Sequence, residues 1–558
     1  RNAKLEDFRE KLATLTFLDP ACGSGNFLTE TYISLRRLEN EALSIEYNRQ
    51  GLLGDIVPIK VGIKQFYGIE INDFAVTVAK TALWIAESQM MRETEDIMQM
   101  NLDFLPLKSY ANITEGNALR IDWESVVPKD KLNYIMGNPP FVGASMMTKK
   151  QKDEAIEIFG KIKLSNSIDY VGAWYFKACE LMKDTAIKTA LVSTNSITQG
   201  EQVAPLWGTL FEKYNIQIDF AHRTFRWDSE ASLKAHVHCV IVGFSYLASH
   251  SDKIIYDNGI SKKADNINGY LIDAPNVCIS SRSKPLSNVT GMVYGNKPAD
   301  GGNLILTEEE KDNILIVEPN LNQYIRKYIG SVEFINNKTR YCIWLDDVSP
   351  KEINKSKELY KRVSAVKEFR LNSSAKPTVA KAITPHLFFF ISQPKGNYLM
   401  VPRVSSQRRK YIPIGFMDSS IIASDSCSIV PNAGLFEFGV ITSNVHMAWT
   451  RTVCGRLKSD YRYSGSVVYN NFPWCNPTPE QKAKIEHTAQ AILDARAKYP
   501  DCSLADLYDE TTMPPELRKA HQLNDRAVMQ AYGFDIKITE SECVAELMKM
   551  YKKLTEGK

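Results

Sequence analysis

The first 247 residues predict an open α/β sheet, and three observations carry that expectation. Short apolar runs suited to buried parallel strands recur, stretches with helical spacing separate them, and polar or glycine-rich turns follow where the runs end. Taken in order, the strand runs are 15–18, 65–69, 134–136, 190–192 and 216–220, with a further strand end at Thr114. Residues 27–43, 74–89 and 170–182 read as helices between them. A last run, 235–244, follows the strand at 216 after a short loop, so an antiparallel hairpin is expected to close the sheet.

From 248 to 475 the texture changes to short β-prone pieces broken by Gly, Pro and Asn clusters, as at 294–302 and 333–338, which predicts a separate mixed or mostly β domain. Helical spacing returns over 476–558, in 480–498 and 540–554, and Pro514 and Pro515 introduce one more helix. This last part reads as a helical cap.

The chain has 558 residues, 44% hydrophobic and 24% charged, a composition too apolar for a disordered protein and long enough for about three domains. No apolar run approaches the roughly 18 residues of a membrane span; the strongest is 387–392. The 10 cysteines are scattered without a CxxC pair, which fits reduced cytoplasmic thiols better than a disulfide framework or a zinc site. His236 and His238 alternate on a strand with no ligand spacing around them, so no metal is expected. The chain starts at Arg1 and reads as a piece of a longer polypeptide.

The strand at 15–18 runs into Asp19-Pro20-Ala21-Cys22-Gly23-Ser24-Gly25-Asn26 and then directly into a helix. Glycines at the first strand-to-helix turn let the backbone approach a ligand, and the helix N-terminus offers free N–H groups. A dinucleotide fingerprint needs a third glycine where Leu28 stands, and a P-loop needs Gly-Lys-Ser/Thr, which is missing. An acidic residue opening a small-residue loop suits a cationic ligand, and S-adenosylmethionine, with its sulfonium and ammonium groups, has that sign. A structural tight turn is the alternative for this loop alone. The next strand ends in Glu70-Ile71, placing a carboxylate to accept ribose hydroxyls. The third ends in Gly116-Asn117-Ala118, where Asn117 is a candidate for the adenine edge.

The fourth strand ends in Asn138-Pro139-Pro140-Phe141. Two prolines just past a strand fix the backbone and free the preceding polar groups from sheet pairing. An exocyclic amine such as adenine N6 is a poor nucleophile because its lone pair is delocalised into the ring. If the Asn138 side-chain oxygen and the Pro139 carbonyl accept its two N–H bonds, the nitrogen is drawn toward a tetrahedral shape without metal or covalent intermediate. Phe141 offers a face on which a flat base can stack.

These motifs, in this order, resemble the N6-adenine DNA methyltransferases of the gamma arrangement. Further stretches resemble the MmeI-type single-chain restriction and modification enzymes: Ala221 to Trp227, Gly295-Asn296-Lys297-Pro298 with Asp300-Gly301-Gly302, Gly455-Arg456-Leu457, and Tyr469 to Trp474. The resemblance covers essentially the whole chain. It implies a Rossmann-like seven-stranded class I sheet, a target-recognition domain, S-adenosylmethionine as cofactor and double-stranded DNA as partner. It also implies a nuclease and connector N-terminal to this portion, and base flipping with Phe225 as a second stacking face beside Phe141; Trp227 competes for that role.

Charge distribution agrees with such a partner. The chain as a whole carries +3, yet residues 371–475 hold eleven basic against four acidic residues, a local +7. Within them Arg403, Gln407, Arg408, Arg409 and Lys410 mix the side chains that read adenine and guanine edges. The resemblance puts base reading here, and in an extended strand Gln407 and Arg409 would share one face, with Arg408 and Lys410 turned to phosphates or solvent. The alternatives are a protein glutamine methyltransferase, which would use a similar Asn-Pro-Pro-aromatic clamp, and an inactive DNA-binding specificity subunit.

Overall fold

A computed structural model describes residues 2–50, 59–99, 111–160, 162, 165–227, 237–246 and 252–556. They fall into two compact units, Arg1–Cys278 and Ile279–Lys558.

In the first unit, helix α1 (Asn2–Thr14) precedes strand β1 (Phe17–Asp19). Helix α2 (Asn26–Gln50) leads towards β2 (Phe66–Glu70), and α3 (Asp73–Met98) towards β3 (Asn112–Glu115). After β4 (Tyr134–Gly137) come α4 (Lys149–Phe159), α5 (Gly172–Met182), β5 (Lys188–Thr194), β6 (Ile216–Trp227), β7 (Val237–Tyr246), β8 (Lys253–Asp257) and β9 (Ile260–Ala264). Among the described residues these strands form one nine-stranded sheet in the order β3-β2-β1-β4-β5-β7-β6-β8-β9. β1 lies between β2 and β4, parallel to both, and β7 is antiparallel to β5 and to β6.

Three aromatic rings brace the parallel centre: Phe17 stacks on Phe66 at 5.2 Å and on Tyr134 at 5.3 Å. Leu28, Ile63 and Leu83 are fully buried beside them. Local signals fix where α3 and α4 begin. Asn72 caps α3 by accepting the Ala75 N–H, and Thr148 and Gln151 form a reciprocal capping box on α4. Both caps stand at the carboxyl-end side of the sheet, where an open α/β fold binds ligands.

Several expectations change. Among the described residues the sheet extends to nine strands, because β8 adds parallel to β6 and β9 pairs outside it. The hairpin is therefore internal. The final edge is exposed and carries Lys262 and Lys263, charges that discourage further strand pairing. β6 continues to Trp227, beyond the expected end at 220, so Phe225 lies in this strand. Ala235 and His236, expected on β7, lie outside the described residues; His238 pairs opposite Arg226.

Among its described residues the second unit has two four-stranded sheets and one three-stranded sheet, all of short strands. Helices such as Glu308–Val317, Lys357–Leu371 and Asn444–Val453 run among them, so this part is α+β and not mostly β. Ser331–Ile335 is a helical turn where the sequence reads as a break, because the Glu333 carboxylate accepts the Gly330 N–H at 3.0 Å and caps it. Two motifs of the resemblance turn out to be internal ties. The fully buried Arg370 guanidinium donates to the carbonyls of Pro298, Ala299, Lys381, Thr384 and Leu387. Asn471 donates to the carbonyls of Ser280, Ser466 and Val467. The chain ends in helices Pro479–Ala497, Pro515–Tyr532 and Glu540–Glu556.

Candidate active site

A cavity of about 570 Å³ opens at the carboxyl ends of β1 to β4. That is the size range of a small-molecule site. Pro20, Ala21, Glu70, Ile71, Asn117, Ala118, Asn138 and Pro140 line it, so four consecutive strand ends contribute and eight of the residues singled out by sequence meet there.

The loop after β1 is shaped by close approach. Gly23 (φ +53°) and Gly25 (φ +82°) occupy the left-handed region, and a Cβ on Gly25 would lie 3.0 Å from that of Ala79 on α3. Glu70 fastens this loop from β2, since one carboxylate oxygen accepts the Gly23 N–H at 2.9 Å and the other the Asn72 N–H at 2.9 Å. Each oxygen keeps a lone pair for a ligand hydroxyl. Cys22 is buried behind the loop, while Asn26 is exposed and accepts the Ser24 hydroxyl.

Asp19 stands behind the cavity wall and not on it. It is 1% exposed; one oxygen accepts the Ala21 N–H at 3.0 Å, and the other is buried without a partner among the described residues. A Cβ on Gly137 would lie 2.5 Å from this carboxylate, so only glycine on β4 leaves room for it. Burial, reinforced by the charge of Glu70 and opposed by the Ala21 N–H, raises its pKa to about 7. A buried acid that forms no ion pair among the described residues, beneath a small-residue loop, fits a cationic ligand, as a sulfonium or ammonium would be.

At the end of β4 the Asn138 side-chain oxygen is also buried without a partner among the described residues. Pro139 is buried, Pro140 exposed and Phe141 half-buried. The backbone beyond is held on two points: the Val142 carbonyl accepts the Tyr170 N–H at 2.9 Å, and Asp169 accepts the Ala144 N–H at 2.7 Å and the Ser196 hydroxyl at 2.6 Å. The Asn-Pro-Pro turn is thus held at both points while the Asn138 side-chain oxygen has no partner among the described residues.

Sequence reasoning missed the opposite wall, built by Thr148, Lys150, Gln151, Glu154, Tyr170 and Trp174. Glu154, 5% exposed, is its keystone. It accepts hydrogen bonds from Asn117 (3.1 Å), Arg120 (3.1 Å) and the Tyr170 hydroxyl (2.7 Å). Trp174 donates its indole N–H to the Pro20 carbonyl at 3.1 Å. The Asn117 side-chain oxygen already accepts the Leu119 N–H at 2.9 Å, so this residue is more fully engaged than its candidacy for a base edge assumed. The only local sign of this wall was the Thr148/Gln151 capping pattern.

Phe225 is half-buried on β6, past a register shift between His222 and Phe225, with its ring 6.2 Å from that of the exposed Trp227. In the second unit the basic cluster departs from its expected strand. Only Val404–Ser405 is extended; Gln407 and Arg408 form a turn in which the Arg409 N–H bonds the Ser406 carbonyl at 3.2 Å. Gln407 and Arg409 therefore do not share a face. Gln407, Arg408 and Lys410 are exposed, whereas Arg409 is half-buried and burial lowers its pKa, opposed by Asp460 and Asp509. Arg403 turns inward, donating to the Asp425 carbonyl at 3.0 Å with its guanidinium over Tyr294.

Three family models match the chain in succession: the MmeI DNA-methyltransferase domain over 1–257, the MmeI target recognition domain over 273–476, and the MmeI C-terminal domain over 477–557. DNA methyltransferase A of Bacillus subtilis (strain 168) is 40% identical over 557 residues, 99% of this chain and 63% of the relative. A putative type II restriction enzyme and methyltransferase of Methanocaldococcus jannaschii is 34% identical over 137 residues, 24% of this chain and 11% of its own length. Among solved structures, the type IIL restriction-modification enzyme MmeI in complex with DNA superposes with a TM-score of 0.90 at 46% identity, covering 100% of this chain and 75% of that one. The chain thus spans less than two thirds of the Bacillus relative.

Proposed function

The chain belongs to the MmeI family, with its methyltransferase, target-recognition and C-terminal domains, and from that premise we propose that it methylates adenine N6 at a specific sequence in duplex DNA, within a restriction-modification system. The single observation that carries the chemistry is the buried, unpartnered side-chain oxygen of Asn138 on the wall of the strand-end cavity. A buried acceptor left unsatisfied costs about 1–3 kcal/mol, a penalty that a substrate amine would relieve.

On this reading S-adenosylmethionine occupies the cavity and supplies the methyl group when bound. Glu70 takes the ribose hydroxyls, Ile71 and Ala118 flank the adenine ring, and the Asp19 charge favours the cationic end near Pro20 and Ala21. Strands β3-β2-β1-β4-β5-β7-β6 then constitute the seven-stranded class I methyltransferase sheet, with β8 and β9 as an extension. Asn138 and the Pro139 carbonyl accept the two N6–H bonds of the target base, and the prolines keep both acceptors aimed as charge develops on nitrogen. Reaching that clamp requires the adenine to leave the duplex stack, at a cost of a few kcal/mol. Phe141 stacks on the extruded base, with Phe225 as its second face.

Incubation with S-adenosylmethionine labelled on the methyl group, in the presence of duplex DNA and of bacterial protein extract, tests this reading. Label is expected in DNA and, after digestion to nucleosides, in N6-methyladenine. Label confined to protein, or found in methylcytosine, overturns it.

A further inference from the structure

The segment 406–414, which carries the exposed Gln407-Arg408 turn, forms no strand between Val404–Ser405 and Gly415–Met417. Without a ladder, its course is set by its own side chains and by the donors that reach its carbonyls. Behind the turn it drops into the core, where Tyr411, Ile412 and Ile414 are at most 2% exposed. Side chains of the C-terminal helices meet it there.

Helix Pro515–Tyr532 holds Tyr411 twice. The Tyr411 hydroxyl donates to one oxygen of Asp525 at 2.6 Å, and its ring stacks on His521 at 4.1 Å. The second Asp525 oxygen accepts the Asn444 N–H at 2.8 Å, so the same carboxylate also fixes the start of helix Asn444–Val453. From the far end of that helix Arg451 donates to the Lys410 carbonyl at 2.8 Å and to Glu540, the first residue of the last helix, at 3.0 Å. Arg496, on helix Pro479–Ala497, donates to the Ile414 carbonyl at 2.6 Å and to the Tyr508 hydroxyl at 2.8 Å. That hydroxyl is hydrogen-bonded in turn to His521 Nε2 at 2.8 Å. Lys410, Tyr411 and Ile414 are thus each tied to a different C-terminal helix.

Closing a core does not require such ties. Asp525, His521 and Tyr508 are buried, and buried polar groups contribute little net stability over apolar side chains of the same shape. What they add is direction, because each bond is made in one arrangement only. Here the bonds converge on three positions just behind the exposed side chains of the turn. We propose that Asp525, His521, Arg496 and Glu540 are positioning residues, through which the C-terminal helices hold the Gln407-Arg408 turn in the posture from which it reads the duplex. This assignment rests on the reading of the chain as a sequence-specific DNA methyltransferase with Gln407 in its base-reading turn, and it gives the last domain a part in choosing the sequence.

The test compares methylation of the sequence that the parent modifies with methylation of duplexes changed at one base pair of it, using the whole chain, with thermal melting and cofactor binding alongside. Tyr411→Phe keeps the ring on His521 and removes only the bond to Asp525. Its preference for the unchanged duplex should fall about 10-fold, within the range that one misread base pair costs, while affinities for S-adenosylmethionine and for duplex of unrelated sequence stay within about 2-fold. Glu540→Gln removes the charge of an exposed ion pair and touches no buried contact, so the preference should fall about 3-fold with the melting temperature unchanged. Gln407→Ala, measured in parallel, should change the preference if the turn reads bases. When it does, an unchanged preference in both Tyr411→Phe and Glu540→Gln, whatever their melting temperatures, overturns the positioning role. An unchanged preference in Gln407→Ala as well means that the turn is not the reader, and the positioning role falls with it. If the parent methylates no duplex, the methyltransferase reading itself fails.

Discussion

At Asn138 the chain leaves strand pairing just as two prolines begin, and the side-chain oxygen is buried with no donor to accept from among the described residues. Asn138→Ala should therefore reduce methyl transfer at least 100-fold, a loss of about 2.7 kcal/mol of transition-state stabilisation. Cofactor affinity, measured by calorimetry, should change less than 3-fold; its loss would reassign the residue to cofactor binding. Asp19 yields a pH prediction. Its pKa is raised from the usual carboxylate range to about 7, so between roughly pH 4 and 7 the folded protein binds more protons than the unfolded chain. Stability from this group is thus greatest below the unfolded value and declines as pH rises towards 7. A cationic ligand favours the ionised carboxylate, so S-adenosylmethionine affinity should rise between pH 5.5 and 7, below the range where the ligand's own amine titrates. Titration calorimetry should show this rise in the parent and not in Asp19→Asn. At this scale the strand-end residues were legible because each stood in a turn with its own signature. Glu154, Tyr170 and Trp174 were not, because they reach the cavity through tertiary packing of helix faces that look ordinary in sequence.

Among the elements, α4 and the loop after β3 are joined through Glu154, whose carboxylate gathers Asn117, Arg120 and Tyr170. Glu154→Gln keeps the shape but removes the charge these donors share. It should raise the cofactor dissociation constant about 10-fold with little change in DNA affinity, a split that general destabilisation would not produce. The contact between the β1 loop and α3 is tighter still. Gly25→Ala adds left-handed strain of about 1–2 kcal/mol and a Cβ against Ala79, so a stability loss of about 2 kcal/mol or more is expected in denaturant titration. The alternation of parallel strands and crossover helices was readable because buried strands and helices differ in period. The Gln407 turn was not read, although Ser406 signals it: its hydroxyl accepts the Arg408 N–H at 3.3 Å, a local bond that competes with strand pairing. The outer strands β8 and β9 were missed because β9 is exposed and lysine-bearing, without the apolar run that marks a buried strand.

For the molecule as a whole, a net charge of +3 conceals a +7 stretch over 371–475, and the pattern rather than the sum is what bears on a partner. If that stretch follows phosphates and reads bases, its residues should separate by function. Arg408→Ala should weaken binding to all duplex sequences alike, whereas Gln407→Ala should alter which sequence is methylated; competition between duplexes of different sequence distinguishes the two. The expectation of three successive regions rests on texture alone, since apolar alternation, broken β-prone pieces and helical spacing follow one another. The short helices Ser331–Ile335 and Pro350–Lys355 were not legible, being capped by Gly330 and Ser349 where the sequence looks like loop. The central claim is that this chain marks adenine at one sequence. Sequencing that detects modified bases, applied to DNA from cells making the parent or Asn138→Ala, tests it most directly. The account predicts N6-methyladenine at one fixed position of one recurring sequence with the parent and none with the variant; methylation on another base, at no recurring sequence, or equal with both proteins would contradict it.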